Sequence, residues 1–280
     1  MNDEIAQLLK SMKLPAITSI LDAELAHAEK EELSYQEFLA RLLRAQWHHR
    51  QQSALAWRID RANMPEEWTL ETFPFKRQPG VSQRQIRAFA DLDFVAKHEN
   101  IVFIGGTGVG KTGIASALLL KALQNGQRGL FVRAQDLFDE MYASLADRSS
   151  RKLVASLARV DLLVIDEMGY LNLRPEQTNI FFKLMEERYR HRATIITTNL
   201  EFDEWHHFLG NKPLVDALIS RLLHQCHTIR INGPSLRDPS DAASARPPKK
   251  AAVPPTASVA PPEKPTSSSG SDNGVEKVAK

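Results

Sequence analysis

Cysteine is almost absent from this chain of 280 residues, which contains only Cys226. A single cysteine cannot form an intrachain disulfide, which excludes the disulfide-stapled secreted class. No apolar run approaches the roughly 20 residues that cross a bilayer. The first residues, Met1 to Ala6, lack the basic start and apolar core of a signal peptide. We therefore expect a cytoplasmic protein with no membrane partner.

A strong net charge is also missing, because 36 Lys and Arg nearly balance 34 Asp and Glu. The bulk charge therefore neither requires nor excludes a nucleic-acid partner. Glycine is missing until Gly80, and helical spacing of apolar residues dominates the stretch before it. Ser34 begins a capping box for a helix that runs to about Arg61, in which we expect Trp47 and Trp57 to be core residues. This pattern predicts a small all-helical N-terminal domain over residues 1–70.

Strands and helices alternate after a connector at 71–97, whose segment from Gln83 to Lys97 has the spacing of one helix. This alternation predicts an α/β core with a mostly parallel sheet flanked by helices, over residues 98–237. The predicted strands are Ile101–Ile104, Gly129–Arg133, Leu162–Asp166, Ala193–Thr198 and Thr228–Ile231. The helices between them begin near Lys111, Ala134, Ser149, Pro175 and Val215.

Aromatic residues are absent from 238–280, a segment that holds eight of the fifteen prolines. Such a composition cannot bury enough apolar surface to offset the entropy lost on ordering. We expect a disordered C-terminal tail.

The glycines that do occur include a cluster between the first predicted strand and its helix. The cluster fits G-x-x-x-x-G-K-[ST], the phosphate-binding loop, in which backbone N–H groups and a helix N-terminus face phosphate oxygens. Lys111 would reach the β- and γ-phosphates, and the Thr112 hydroxyl would bind Mg²⁺. The predicted nucleotide-binding residues are Gly105, Gly106, Thr107, Gly108, Val109, Gly110, Lys111 and Thr112.

Two acids end the third predicted strand, at Asp166 and Glu167. At the carboxyl end of that strand Asp166 would hold Mg²⁺, directly or through water. Glu167, one residue further, would act as the general base that activates the attacking water. The alternative is that both are ordinary loop acids.

Two further residues are candidates for catalysis. Asn199 ends the fourth predicted strand, where its amide can contact the γ-phosphate or orient the water. Arg221, on the last predicted helix, can stabilise phosphoryl charge from a neighbouring subunit. The alternative for Arg221 is a solvated arginine on the helix surface.

Together these residues resemble the AAA+ ATPases of the P-loop NTPase class. Gly105–Thr112 resembles Walker A, Asp166-Glu167 the Walker B acids, Asn199 sensor 1, and Arg221 the box VII arginine finger. The more specific resemblance is to the IstB-like transposition helper ATPases, relatives of the DnaC helicase loader. It covers about residues 5 to 237 and includes Thr72-Phe-Pro-Phe75, Leu163-Val-Ile-Asp-Glu-Met-Gly-Tyr170 and Thr197-Thr-Asn-Leu200.

The resemblance implies an ATPase that uses ATP and Mg²⁺ and assembles as a homo-oligomer on duplex DNA, with ATP between subunits. It further implies recruitment or stimulation of an IstA-type transposase. A DnaC-like helicase loader and a nucleotide-gated adaptor are the alternatives. Gly233-Pro-Ser-Leu-Arg237 differs from the Gly-Glu-Ser-Tyr-Arg-like ending of the family, which leaves a sensor 2 role for Arg237 open.

A basic stretch is the candidate contact with DNA, since basic side chains neutralise phosphates. Its residues in the third N-terminal helix are Arg41, Arg44, Arg50, Arg58 and Arg61. The alternative is a solvated helix face, because residues 1–70 carry eight basic against eleven acidic side chains.

Overall fold

Three helices form the N-terminal region of the computed structural model, which describes residues 3–169 and 171–237. They are α1 (Asp3–Ser11), α2 (Pro15–Lys30) and α3 (Tyr35–Arg61). The Ser34 side chain accepts a hydrogen bond from the Glu37 N–H, as the capping box predicts, and α3 ends at the predicted residue. The predicted tail at 238–280 lies outside the described residues.

The second half of α3 is attached to the rest of the molecule. The Arg58 Nε donates to the Leu123 carbonyl over 2.9 Å, and the Phe131 N–H donates to the Ala62 carbonyl over 2.7 Å. Ile59 packs against the apolar cluster that contains Ala62, Leu123 and Phe131. The boundary of a separate N-terminal domain at residue 70 stays a prediction.

The prediction that Trp47 and Trp57 belong to the core is wrong, since they are 58% and 59% exposed. Gln46 occupies the buried position of α3 next to Trp47, because its Oε1 accepts hydrogen bonds from the N–H groups of Ala16 and Ile17. This polar side chain satisfies backbone donors at the start of α2, where no earlier carbonyl is available. The neighbouring tryptophan therefore faces away from the helix pair.

The connector contains two short helices where the sequence predicted one. They are α4 (Gln83–Ala88) and α5 (Asp93–Ala96), separated by a 3-10 turn at Phe89–Asp91. Leu92 has a left-handed φ of 62°, which ends the helical path. The break lets Phe89 and Phe94, on either side of it, both point into the core.

A five-stranded parallel sheet follows, as predicted. Its strands are β1 (Asn100–Gly105), β2 (Gly129–Arg133), β3 (Leu162–Met168), β4 (Ala193–Thr198) and β5 (Cys226–Ile231). Their order across the sheet is β2-β3-β4-β1-β5. Since all strands run the same way, the loops after β1, β3 and β4 meet at one edge.

Helices cover both faces of the sheet. They are α6 (Lys111–Gln124), α7 (Ala134–Ala146), α8 (Ser150–Ala158), α9 (Pro175–Arg188), α10 (His206–Leu209) and α11 (Lys212–His224). Alternate residues of β1 enter two separate apolar clusters, one containing Ile101 and Phe103 and the other Val102 and Ile104. Burial on both faces is the reason that Ile101–Ile104 of β1 and Leu162–Ile165 of β3 read as continuous apolar runs. No helix within the described ranges is long and apolar enough to span a membrane.

Candidate nucleotide site

The glycine-rich loop joins the end of β1 to the start of α6. Gly108 and Gly110 have φ values of 81° and 96°, which favour glycine. A Cβ atom at Gly110 would also lie 2.8 Å from ring carbons of Phe73. The loop therefore requires glycine at this position for its conformation and for the close contact with the connector.

The Lys111 ammonium lies at the mouth of this loop. Its Nζ donates to the carbonyl oxygens of Gly105 and Gly106, each over 2.7 Å. Burial lowers the pKa of Lys111, while the charges of Asp166 and Glu167 oppose that shift. The lysine thus bonds to its own loop within reach of both acids.

Asp166 meets the first turn of α6 from the end of β3. Its carboxylate accepts hydrogen bonds from the Thr112 hydroxyl, at 3.0 and 3.1 Å, and from the Thr197 hydroxyl, at 2.5 Å. Burial raises the pKa of Asp166, and the two threonine hydrogen bonds oppose that rise. A hydroxyl and a carboxylate in contact are hard oxygen ligands, so these two residues fit Mg²⁺.

Glu167 has a different environment although it follows Asp166 directly. Its φ is 59°, at the point where the register of β3 against β4 shifts between Ile165 and Met168. The backbone N–H donates to the Thr197 hydroxyl over 3.0 Å, while the side chain is exposed. The irregularity turns this carboxylate out of the strand, and Glu167 lies on the wall of a cavity.

This cavity has a volume of about 760 Å³, within the usual range for small-molecule sites. Of the residues predicted from the sequence, it is lined by Thr107, Gly108, Gly110, Lys111, Thr112, Asp166, Glu167 and Asn199. Asn199 reaches it as an exposed residue directly after β4. Gly105, Gly106 and Val109 belong to the same loop but do not line the cavity.

Arg221 is not brought to this cavity. It is an exposed residue of α11 and lines a separate cleft with Glu186 and Tyr189. An arginine at this place has no contact with the nucleotide site of its own chain, so any role in hydrolysis requires a second subunit.

Residues 233–237 pack on the glycine-rich loop, and sequence reasoning missed the side chain that holds them there. Gln78 is fully buried, and its Nε2 donates to the carbonyls of Val109, at 3.0 Å, and Pro234, at 3.1 Å. The Leu236 N–H donates to the Gly108 carbonyl over 2.9 Å. Arg237 therefore reaches the wall of the nucleotide cavity. A lone glutamine in a connector gives no sequence signal of this role.

Most of the basic stretch on α3 has partners within the protein. Arg41 pairs with Glu24, whereas Arg44 pairs with Glu37. Arg58 bonds to the end of α6, and the Arg61 guanidinium lies 4.9 Å from the centre of the Trp57 ring. These contacts reduce the charge that is free for a phosphate backbone, although Arg50 is exposed.

Within residues 3–169 and 171–237, no group of three or more His, Cys, Asp or Glu side chains is placed to hold a metal ion. Mg²⁺ commonly binds through one or two protein ligands together with substrate phosphates and water. The Thr112–Asp166 pair fits that mode of binding.

The chain matches one family description and is similar to several curated proteins, among them two from insertion sequences. The IstB-like ATP binding protein family matches residues 7–244. A protein of insertion sequence IS21 from Pseudomonas aeruginosa, named as ATP-binding, is 35% identical over 234 residues, 84% of this chain and 88% of the relative. Its counterpart in insertion sequence IS5376 from Geobacillus stearothermophilus is 32% identical, over 85% of this chain and 94% of the relative.

A solved structure shares the fold. The DnaC helicase loader matches with a TM-score of 0.50 and 24% identity, over 59% of this chain and 96% of that chain. Because the family match spans most of the sequence and both relatives exceed 30% identity, the chain belongs to the IstB-like ATP binding protein family.

Proposed function

We propose that this protein hydrolyses ATP and uses the nucleotide cycle to assemble on duplex DNA as a helper of a transposase. The arrangement of Lys111, Thr112, Asp166 and Glu167 around one cavity is the observation that supports hydrolysis most strongly. The names of the relatives place them in insertion sequences, which supports the role in transposition.

Each of five cavity residues would have a separate role in ATP hydrolysis. Lys111 would exchange its two loop carbonyls for phosphate oxygens, and Asn199 would orient the γ-phosphate or the water. Thr112 and Asp166 would hold Mg²⁺, whose charge neutralises that of the phosphates. Glu167 would take a proton from the attacking water, a role that its exposed carboxylate on the cavity wall allows.

Assembly would complete the site. Arg221 lies outside the cavity of its own chain, so we propose that it stabilises the phosphoryl charge in the site of a neighbouring subunit. ATP at the boundary between subunits would then favour assembly, and hydrolysis would favour release.

Duplex DNA is the partner that we propose for the exposed part of the basic stretch, including Arg50. Contacts to phosphates give an affinity that falls with added salt. The experiment is to measure ATP hydrolysis with and without duplex DNA over a series of salt concentrations. We expect stimulation by duplex that fades as salt rises. Arg50→Ala should weaken duplex binding and reduce its salt slope by about one.

A replicative helicase loader is the second candidate, favoured by the fold shared with DnaC. Such a protein would respond to single-stranded DNA and to a helicase. Stronger stimulation of hydrolysis by single strands than by duplex would favour it. A transposase gene next to this gene, within terminal inverted repeats, would favour the helper. Hydrolysis indifferent to either DNA would favour a nucleotide-gated adaptor.

A further inference from the structure

The direction of the Arg221 side chain depends on the last turn of α11, which runs from Arg221 to His224. Within residues 3–169 and 171–237, the Arg221 guanidinium has no hydrogen bond or ion pair of its own. Its reach towards another chain is therefore set by the backbone that carries it. The contacts that fix this turn also fix the position of the arginine.

Asn100, the first residue of β1, binds this turn and the residue after it. Its Nδ2 donates to the Leu222 carbonyl over 3.4 Å, and its backbone N–H donates to the Gln225 carbonyl over 2.7 Å. The last four carbonyls of a helix have no partner within the helix, so the carboxamide supplies a donor that α11 lacks. Because Leu222 follows Arg221 directly, this bond is formed next to the arginine.

The Asn100 side chain is itself held from the other side. It is buried, and its Oδ1 accepts a hydrogen bond from the Thr194 N–H over 3.0 Å. The Thr194 hydroxyl accepts another from the Nε of Arg188, a fully buried side chain that also donates to the carbonyls of Leu157 and Val160. A buried polar network with its partners in place is rigid, so the Asn100 carboxamide has little freedom to move.

His224 fixes the same turn from the surface. Its ring meets the Tyr189 ring edge to face, with ring centres 6.1 Å apart, and its Nε2 lies 3.4 Å from the Nη2 of Arg190. These two residues follow the end of α9, so the turn is tied to α9 as well as to β1.

These contacts lie at the opposite edge of the sheet from the nucleotide cavity. Asn100 begins β1 and Gly105 ends it, about 16 Å away at the usual rise per residue. Asn100 lines the cleft that also contains Arg221. A change at Asn100 therefore reaches α11 without touching the residues that would bind ATP in the same chain.

We propose that Asn100 and His224 are positioning residues for hydrolysis, which hold the last turn of α11 so that Arg221 reaches the site of a neighbouring subunit. This inference rests on the proposed action of Arg221 between subunits and adds the residues that direct it. A displacement of about 1 Å in a catalytic group can slow a reaction about 100-fold, so the loss of one of these contacts is measurable.

Asn100→Asp removes the donor to Leu222 and keeps the acceptor for Thr194. We expect ATP binding by the isolated chain equal to that of the parent, and hydrolysis by the assembled protein about 10- to 100-fold slower. Asn125→Asp is the matched control and should hydrolyse ATP like the parent. The Asn125 Nδ2 also donates to a carbonyl in the last turn of a helix, that of Lys121 on α6, but Asn125 is exposed and far from Arg221 in the chain.

Mixing chains separates positioning from a general loss of structure. Asn100→Asp keeps an intact nucleotide site, so a Lys111→Ala chain, which carries an intact Arg221, should restore part of the activity. A mixture with Arg221→Ala should restore none, because neither chain then presents the arginine correctly.

His224→Ala tests the turn through an exposed side chain. It should slow hydrolysis about tenfold with the same mixing pattern. His224→Phe keeps the ring contact with Tyr189 and should retain most of the activity.

A folded Asn100→Asp protein that hydrolyses ATP at the rate of the parent would overturn the positioning role, and so would recovery on mixing with Arg221→Ala. If Asn100→Asp does not fold, the rate of the parent in His224→Ala would overturn it. The rate of the parent in Arg221→Ala itself would contradict the proposed action between subunits. A parent that does not hydrolyse ATP would contradict the proposed function.

Discussion

The Thr112 hydroxyl lies 3.0 Å from one carboxylate oxygen of Asp166 and 3.1 Å from the other. The first residue comes from α6 and the second from β3, 54 positions later. The hydrogen bond joins the first turn of α6 to the end of the acid-bearing strand. Because Mg²⁺ prefers oxygen ligands, this pair is the metal site that we propose.

Asp166→Asn tests how far the buried carboxylate destabilises the folded protein. Burial raises the pKa of Asp166 above its usual 3.8. A carboxyl with a higher pKa in the folded state stabilises the fold at acid pH, and that contribution is lost as pH rises through the folded pKa. We predict that Asp166→Asn melts at a higher temperature than the parent at neutral pH, and that the difference shrinks towards acid pH.

The same variant should lose ATP hydrolysis, because the amide is a poorer ligand for Mg²⁺. Thermal denaturation of the nucleotide-free protein at several pH values provides the check. Asp203→Asn, at an exposed acid, is the control. An Asp166→Asn protein that is less stable than the parent at neutral pH would contradict the prediction.

Lys111→Ala tests the role of the ammonium in binding. Charge-assisted hydrogen bonds to phosphates are among the stronger ones, so we expect the affinity for ATP to fall about 100-fold. ATP at about ten times the parent's Kd should raise the melting temperature of the parent and leave that of Lys111→Ala nearly unchanged, because this concentration lies well below the weakened Kd. Lys152→Ala, at an exposed lysine of α8, should show the full shift of the parent. An equal shift in Lys111→Ala would refute the assignment.

Gln78→Ala tests the link between the glycine-rich loop and residues 233–237. Two carbonyl groups, of Val109 and Pro234, would lose a buried donor. We expect a loss of about 2 to 4 kcal/mol in the free energy of unfolding, measured with denaturant, together with weaker ATP binding. Gln85→Ala, at an exposed glutamine of α4, should change neither quantity. Similar losses in both variants would show that the hydrogen bonds of Gln78 stabilise the protein no more than an exposed glutamine does.

Arg221→Ala tests action between subunits. We expect hydrolysis to fall about a thousandfold, while ATP binding by the isolated chain is retained. Mixing this variant with Lys111→Ala should restore part of the activity, because an intact site forms where an intact Lys111 meets an intact Arg221 from the other chain. Arg151→Ala, at an exposed arginine of α8, should hydrolyse ATP like the parent. No recovery in any mixture would argue that Arg221 is only a surface residue.

Much of the fold could be predicted because its signals are local. The strands β2 and β4 have the predicted bounds to the residue. Both are short segments that contain β-branched or aromatic residues between helical stretches, which is a local strand signal. The glycine-rich loop carries its own signature, and the parallel sheet places Asp166 and Asn199 at the same edge. These three features follow from short stretches of sequence.

Other features depend on contacts between distant residues and gave no local signal. Gln78 and Pro234 are 156 positions apart, and nothing in either segment indicates that they meet. The exposure of Trp47 follows from the use of Gln46 to cap α2, which requires the packing of two helices. The contact of Trp68 and Phe73 with Gly113 likewise depends on how the connector folds against α6.

Glu167→Gln tests the general base directly, because this substitution keeps the size of the side chain and replaces its proton-accepting carboxylate with a neutral amide. ATP binding and single-turnover hydrolysis are measured on the same preparation, with Glu176→Gln, at an exposed acid of α9, as the control. We predict ATP binding equal to that of the parent and hydrolysis at least about 100-fold slower. Hydrolysis at the rate of the parent would contradict the central claim that Glu167 activates the attacking water.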